Sequence, residues 1–363
     1  MKCWLCGALA VLLALMSGCS AILNRDYSSV TPHSATPVSD GESNTARVAS
    51  YQELVNALVY FIGRGTESGT VRFDSSDSDE AKLQQMLDEA CLEVVQEDPL
   101  GAYAVEYIKY SITPIVGSYE ADVQITYRRT REQVAAIVDA TGTAAIRSEL
   151  SEALARFSTQ VVLRISYFEE DSEYIRQLMR EAYLSNPASA LDFPDAEITM
   201  YPETGQRRIV EVVLTYHQSR QNLESRRNSL LREADRLLLQ TGEGMGRQTA
   251  DQLIQLVRQT CTYREGGGST AYDALLEGAA DSQGMALALA LLCQRTEVIV
   301  PCVVVDGQKD GVSHQWNVIQ TAGGYRHVDL TQDEPLFRTD EEMTAAGYTW
   351  DSERVPACTA DEE

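Results

Sequence analysis

Glu277-Gly278-Ala279-Ala280-Asp281-Ser282-Gln283-Gly284 runs directly into Met285-Ala286-Leu287-Ala288-Leu289-Ala290-Leu291-Leu292-Cys293. Asp and Ser are favoured where a helix begins, because their side chains bond the free amides of its first turn. A helix is therefore expected to start at Asp281-Ser282. It is apolar on every side and too short to cross a membrane, so it must be buried in a core. Strands are expected downstream at 299–306, 314–320 and 325–330, with turns at Asp306-Gly307, Asp310-Gly311 and Gly323-Gly324. The pattern predicts a central helix packed on an antiparallel sheet.

Several ordered segments extend this pattern: Thr270-Ala271-Tyr272 leading to Asp281-Ser282-Gln283-Gly284, then His314-Gln315-Trp316-Asn317, then Tyr325-Arg326-His327-Val328-Asp329-Leu330-Thr331. The tail adds Phe337-Arg338-Thr339-Asp340, Gly347-Tyr348-Thr349-Trp350 and Pro356-Ala357-Cys358. Through these segments, residues 247–360 resemble the transglutaminase-like family, whose papain-like α+β domain carries a cysteine nucleophile, a histidine base and an orienting aspartate. The resemblance places Ser282 at the cysteine position, His314 at the histidine and Asp329 at the aspartate. It also makes Trp316, Tyr272 and Gln283 candidates for ligand contact.

The substitution of oxygen for sulfur governs the functional expectation. A thiol titrates near 8.5, and a neighbouring imidazolium or helix N-terminus can lower it to a thiolate; a serine hydroxyl cannot be ionised this way. A serine nucleophile instead needs concerted proton removal and an oxyanion hole fitted to it. Two readings follow. The domain has lost thiol catalysis and binds a peptide, cell-wall or protein ligand, or it is a serine-dependent amidase, peptidase or acyltransferase using Ser282, His314 and Asp329. No cofactor and no metal are called for. His327 shares a strand face with Asp329, but a metal site needs more ligands than these two.

Upstream, residues 48–240 read as a duplicated α-β-α-β-β unit, with repeats at about 50–140 and 147–240. The hairpin turning through Pro114-Ile115-Val116-Gly117 has its counterpart in Pro202-Glu203-Thr204-Gly205. Proline presets one turn dihedral and glycine accepts a positive one. The expected fold class is thus α+β, a duplicated region followed by the transglutaminase-like domain. A polar helix at about 221–239 joins the two, and Gly242 to Gly246 breaks it.

Lys2, the apolar run Trp4 to Met16, and Met16-Ser17-Gly18-Cys19 read as an export signal over 1–18. The small residues before Cys19 resemble the lipobox of bacterial lipoproteins, which implies an extracytoplasmic protein held to the cell membrane by lipidated Cys19. Residues 19–47 are rich in Ser, Thr, Pro and Asp and are expected to form a flexible tether. The formal net charge of −24 opposes nucleic-acid binding, which draws affinity from cations neutralising phosphates. Cys293 and Cys302 stand at the two ends of a short connection; a local disulfide and a pair of buried thiols both fit.

Overall fold

A computed structural model describes residues 44–74, 79–240, 249–297, 299–333 and 337–360. The expected signal segment, Cys19, most of the tether and the break at 242–246 lie outside the described residues. The chain forms two compact units, one ending at Thr141 and the other spanning Gly142–Glu363. The fold is mixed α+β.

In the first unit, β1 (Thr45–Val48), α1 (Tyr51–Gly63), β2 (Ser68–Phe73), α2 (Glu80–Gln96), α3 (Pro99–Ala104), β3 (Val105–Ile115) and β4 (Ser118–Tyr127) are followed by α4 (Arg131–Ala135) and β5 (Val138–Ala140). The sheet order is β1-β2-β4-β3, with β1 parallel to β2 and the other pairs antiparallel. Residues 45–47, expected at the end of the tether, are instead paired in β1. Ala46 and Val48 are buried there, and that burial holds the segment in the sheet. Asp98 caps α3 by accepting from the amides of Leu100 and Gly101, and Pro99 occupies the first helical position, where no amide is needed.

The second unit opens with α5 (Gly142–Ala155), β6 (Gln160–Ser166), α6 (Ser172–Ser185), β7 (Asp195–Tyr201), β8 (Arg207–Thr215) and α7 (Arg220–Gln240). Strand β8 lies between β6 and β7 and is antiparallel to both, as β4 lies between β2 and β3. This stretch belongs with the terminal region, whereas the sequence pattern grouped it with the first stretch. Polar side chains join it there: Arg180 on α6 meets Asp306, and Arg295 makes a bidentate pair with Asp235 on α7.

The terminal region continues with α8 (Ala250–Thr260), β9 (Thr262–Gly268), a π-helical turn at Asp273–Glu277, β10 (Ala279–Ala280), α9 (Ser282–Arg295), β11 (Cys302–Lys309), β12 (Val312–Thr321), β13 (Gly324–Val328), α10 (Asp340–Ala345) and β14 (Tyr348–Thr349). A 3₁₀ turn at Ser352–Arg354 follows. The sheet order is β13-β12-β11-β14, and all its pairs are antiparallel. Helix α9 is buried from Gly284 through Cys293. It lies on the sheet face that carries Gln315 and Asn317, and the Asn317 amide donates to the Ala286 carbonyl at 3.0 Å. The opposite face carries Val305, Trp316 and Val318, which pack with Met343, Tyr348 and Cys358 from the C-terminal segment.

No turn forms at Asp306-Gly307, because β11 runs straight through both residues. Gly307 is needed for space: a Cβ there would lie 2.4 Å from the Thr349 carbonyl oxygen and 2.6 Å from the Trp316 ring. The reversal comes at Asp310-Gly311, where φ is 51° and 79°. Two left-handed residues in succession match the twist of a two-residue hairpin. Cys293 and Cys302 are both free thiols. The neighbouring Cys302 thiol together with burial pushes the Cys293 thiol up.

Leu289 is fully buried at the centre of α9. Leu289→Ala is expected to lower the stability of the second unit by about 2–5 kcal/mol, the ordinary cost of an unfilled leucine cavity, and urea unfolding of the variant measures it.

Candidate functional site

The site forms where the start of α9 meets β12. Asp281, not Ser282, caps the helix: its carboxylate accepts from the Gly284 amide at 2.9 Å. The other carboxylate oxygen of Asp281 accepts from the Ser269 hydroxyl. Ser282 is therefore relieved of capping, and its hydroxyl is used elsewhere. It donates to Gln315 Oε1 at 3.2 Å and accepts from the Gln315 backbone amide at 3.3 Å.

His314 and Gln315 are neighbours on one strand, so their side chains leave by opposite faces. Gln315 points to α9 and the serine. His314 points to the other face, where its Nε2 meets Asp329 Oδ2 at 2.8 Å. That same oxygen accepts from the Tyr348 hydroxyl at 2.6 Å, while Oδ1 accepts from the Thr331 amide at 2.9 Å and the Thr331 hydroxyl at 2.8 Å. Burial works to raise the Asp329 pKa, but the bonds from His314, Tyr348 and Thr331 outweigh it and hold the carboxyl below its ordinary range. An ionised carboxylate can only accept, so His314 donates to Asp329 through its Nε2–H, and Nδ1 is the nitrogen turned away from the carboxylate. No hydrogen bond joins Nδ1 to Ser282 among the described residues.

Ser282 is thus brought beside the strand residue next to His314, and His314 is brought to Asp329. The hydroxyl and the imidazole are not joined to each other. The pattern of residue types pointed to Ser282, His314 and Asp329. It did not point to Gln315 as the serine's partner, nor to Tyr348 as a second donor to the aspartate. Gly347-Tyr348 was visible in the tail, but no local spacing ties it to Asp329.

Gln315 continues the polar chain. Its Nε2 donates to Asp306 Oδ1 at 2.7 Å, and Asp306 accepts from Arg180 Nε at 2.8 Å. Arg180 Nη2 donates in turn to Gln283 Oε1 at 2.6 Å, and Gln283 Nε2 to the Ser269 carbonyl at 2.8 Å. Burial would raise the Asp306 pKa, but Arg180 and Gln315 more than compensate and hold it low. Gln283, expected as a ligand contact, is a link in this chain.

One further expectation for ligand contact is corrected. Trp316 is buried in the core below the sheet, and its indole N–H donates to His327 Nδ1 at 2.9 Å. Its apolar body fills the cluster with Tyr348 and Met343, which leaves it no face for a ligand. Tyr272 lies under the Arg226 guanidinium, 4.3 Å from ring centroid to cation. That stacking sets the half-buried ring against α7.

His327, Asp340 and Cys358 place three candidate metal-ligating atoms within 4.8 Å of one another. Hydrogen bonding argues against a cation there. The indole can only donate, so His327 Nδ1 must accept and Nε2 must hold the proton that it gives to Asp340 Oδ1 at 2.7 Å. Burial lowers the His327 pKa against the opposing pull of Asp340, and burial pushes the Cys358 thiol up to about 12. As they stand, the three groups form a hydrogen-bonded cluster, and a cation there would have to displace the Nε2 and thiol protons.

No protein-family profile matches the chain, and no curated protein does. Among solved structures, one described as "Crystal structure of a TGase" aligns at 14% identity with a TM-score of 0.27, covering 52% of this chain and 57% of that one. The chain thus spans little more than half the length of that protein, and a likeness this slight carries no argument about fold or activity.

Because the Asp329 pKa is depressed on folding, its contribution to stability is complete above the unfolded value of about 3.9 and is lost as pH falls through the lower folded value. Asp329→Asn is expected to destabilise the protein by about 1–3 kcal/mol at pH 7. The gap from the wild type should narrow below about pH 4, as thermal melts across pH 2–7 would read.

Proposed function

We propose that the chain is a lipid-anchored extracytoplasmic protein whose terminal region is a transglutaminase-like domain without thiol catalysis, binding a peptide or protein ligand at the cell surface. The observation that carries this reading is the engagement of Ser282. Its hydroxyl both donates to and accepts from Gln315, on the strand face away from the imidazole that would have to take its proton. A general base must lie within hydrogen-bonding reach of the proton it removes. Breaking two bonds to reach His314 adds to the barrier, and the hydroxyl has no low-lying ionised form to offset this.

One observation favours the alternative, a serine-dependent amidase, peptidase or acyltransferase. The His314–Asp329 pair is complete, with Nε2–H donating to Asp329 and no hydrogen bond to Nδ1 among the described residues. That is the state in which a base awaits a nucleophile. The two readings differ only in where the serine hydroxyl goes.

The upstream region is read as a duplication on two grounds. Both stretches run helix, strand, helix and then a hairpin, and in each the last strand of the hairpin lies between the other two. The lipid anchor rests on Met16-Ser17-Gly18-Cys19, and the exclusion of nucleic acid on the acidic charge.

A fluorophosphonate probe decides between the readings of the site. The binding reading expects no labelling of the folded wild type, and Ser282→Ala is expected to fold with a loss of about 1 kcal/mol for the two hydrogen bonds. Labelling of the wild type that Ser282→Ala abolishes would establish the enzyme instead. For the anchor, Cys19→Ser is expected to move the protein from the membrane fraction to the soluble one and to remove incorporation of an alkyne fatty acid.

A further inference from the structure

A cavity of about 530 Å³ lies in the second unit between β11, α5, α6 and the 3₁₀ turn at Ser352–Arg354. Five consecutive residues of β11, Cys302 through Asp306, line it. The face of a strand offers only alternate residues, so an unbroken run means that the cavity lies against the strand's edge. The other walls are single helix faces: Ala144, Arg147, Ser148 and Ser151 from α5, and Gln177, Arg180, Glu181, Leu184 and Ser185 from α6.

The ladder shows which backbone groups face this space. The Gln320 amide donates to the Pro301 carbonyl, so 301, 303, 305 and 307 exchange hydrogen bonds with β12. The N–H and C=O groups of Cys302, Val304 and Asp306 therefore point the other way. Strand β14 covers this edge only at Gln308 and Lys309, and the chain then leaves it for the 3₁₀ turn. Among the described residues no partner is found for the amide and carbonyl of Val304. Unpaired strand edges are templates for another strand unless charge, proline or covering structure blocks them. Here Val303-Val304-Val305 carries neither charge nor proline, and the surrounding helices and 3₁₀ turn stand off from it across a cavity.

We propose that this edge binds an extended peptide of a partner protein, which adds to β11 as an antiparallel strand where β14 stops. Five residues of strand offer roughly 16 Å of ladder. The charges in the trough are already matched: Arg147 with Glu181, Arg180 with Asp306, and Arg354 with both Glu181 and Asp351. Recognition therefore comes from the backbone, with alternate side chains of the peptide meeting Ala290 and Gln294 on one side and Arg354 and Val355 on the other. The net charge of −24 favours the approach of a neutral or basic peptide over an acidic one. The trough shares Arg180 and Asp306 with the polar chain that reaches Ser282, but Ser282 itself does not line it. The proposal needs the β11 backbone and not a reactive serine, so a fluorophosphonate result does not bear on it.

Val304→Pro tests the assignment. It removes an outward N–H while leaving the β12 ladder whole, and proline is tolerated at such an edge position. The full-length protein is immobilised and offered pools of random synthetic decapeptides sorted by charge. Neutral and basic peptides are expected to be enriched on the wild type, and at least tenfold less on Val304→Pro. In the wild type, hydrogen exchange at the amides of Val304 and Asp306 is expected to slow when an enriched peptide is added, while Val303 and Val305 are protected throughout. The proposal is overturned if no peptide is enriched, if enrichment survives Val304→Pro, or if the Val304 and Asp306 amides exchange as fast with the bound peptide as without it.

Discussion

The burial of α9 is the constraint on which the terminal region depends. A helix apolar on all sides has no wet face, so sheet and helices must enclose it, and its first-turn amides must find partners inside the protein. Asp281 supplies the cap. The residues around it then close a polar chain from Ser282 through Gln315, Asp306 and Arg180 to Gln283 and Ser269. Arg180 is the member that comes from α6, so the second α-β-α-β-β stretch completes the site rather than merely preceding it. A guanidinium bridging a carboxylate and an amide ties the helix start to β11 through directional contacts.

On the other face of the same sheet a second buried network does comparable work. Trp316 gives its indole proton to His327, His327 gives its own to Asp340, and Asp340 accepts from the Cys358 amide. Beside it, Asp329 gathers His314, Tyr348 and Thr331. Both networks pin the C-terminal segment against β12. Buried polar groups that find all their partners specify one arrangement, whereas a half-satisfied set would favour several. The imidazole–carboxylate pair is thus part of how the tail is held in place, which gives it a structural reason to exist apart from catalysis.

Much of the fold was legible because it rests on local pattern. The buried helix is announced by its composition. The hairpins are announced by alternation and by turn residues such as Pro202 and Gly205. The strands carrying His314 and His327 could be read the same way. Asp306-Gly307 misled because its dipeptide chemistry is that of a turn, while the actual demand for glycine is the approach of Trp316 and Thr349 from far along the chain. Trp316 looked like a cleft residue because an aromatic side chain beside a histidine serves either purpose; only its neighbours place it in the core. The five described cysteines carry no disulfide, and short spacing between Cys293 and Cys302 predicted contact without fixing its kind.

By itself the sequence determined that a helix must be buried behind Asp281-Ser282, that antiparallel strands follow it, and that Ser282, His314 and Asp329 stand in the order of a nucleophile, a base and an orienter. These follow from periodicity, capping preference and residue type, all properties of short segments. Only the tertiary structure decided that the serine hydroxyl turns to Gln315, that Arg180 reaches the site from another stretch, and that β14 pairs with β11 only at Gln308 and Lys309. Each of these depends on which face of a strand meets which neighbour, and a one-residue change in strand register would reverse it.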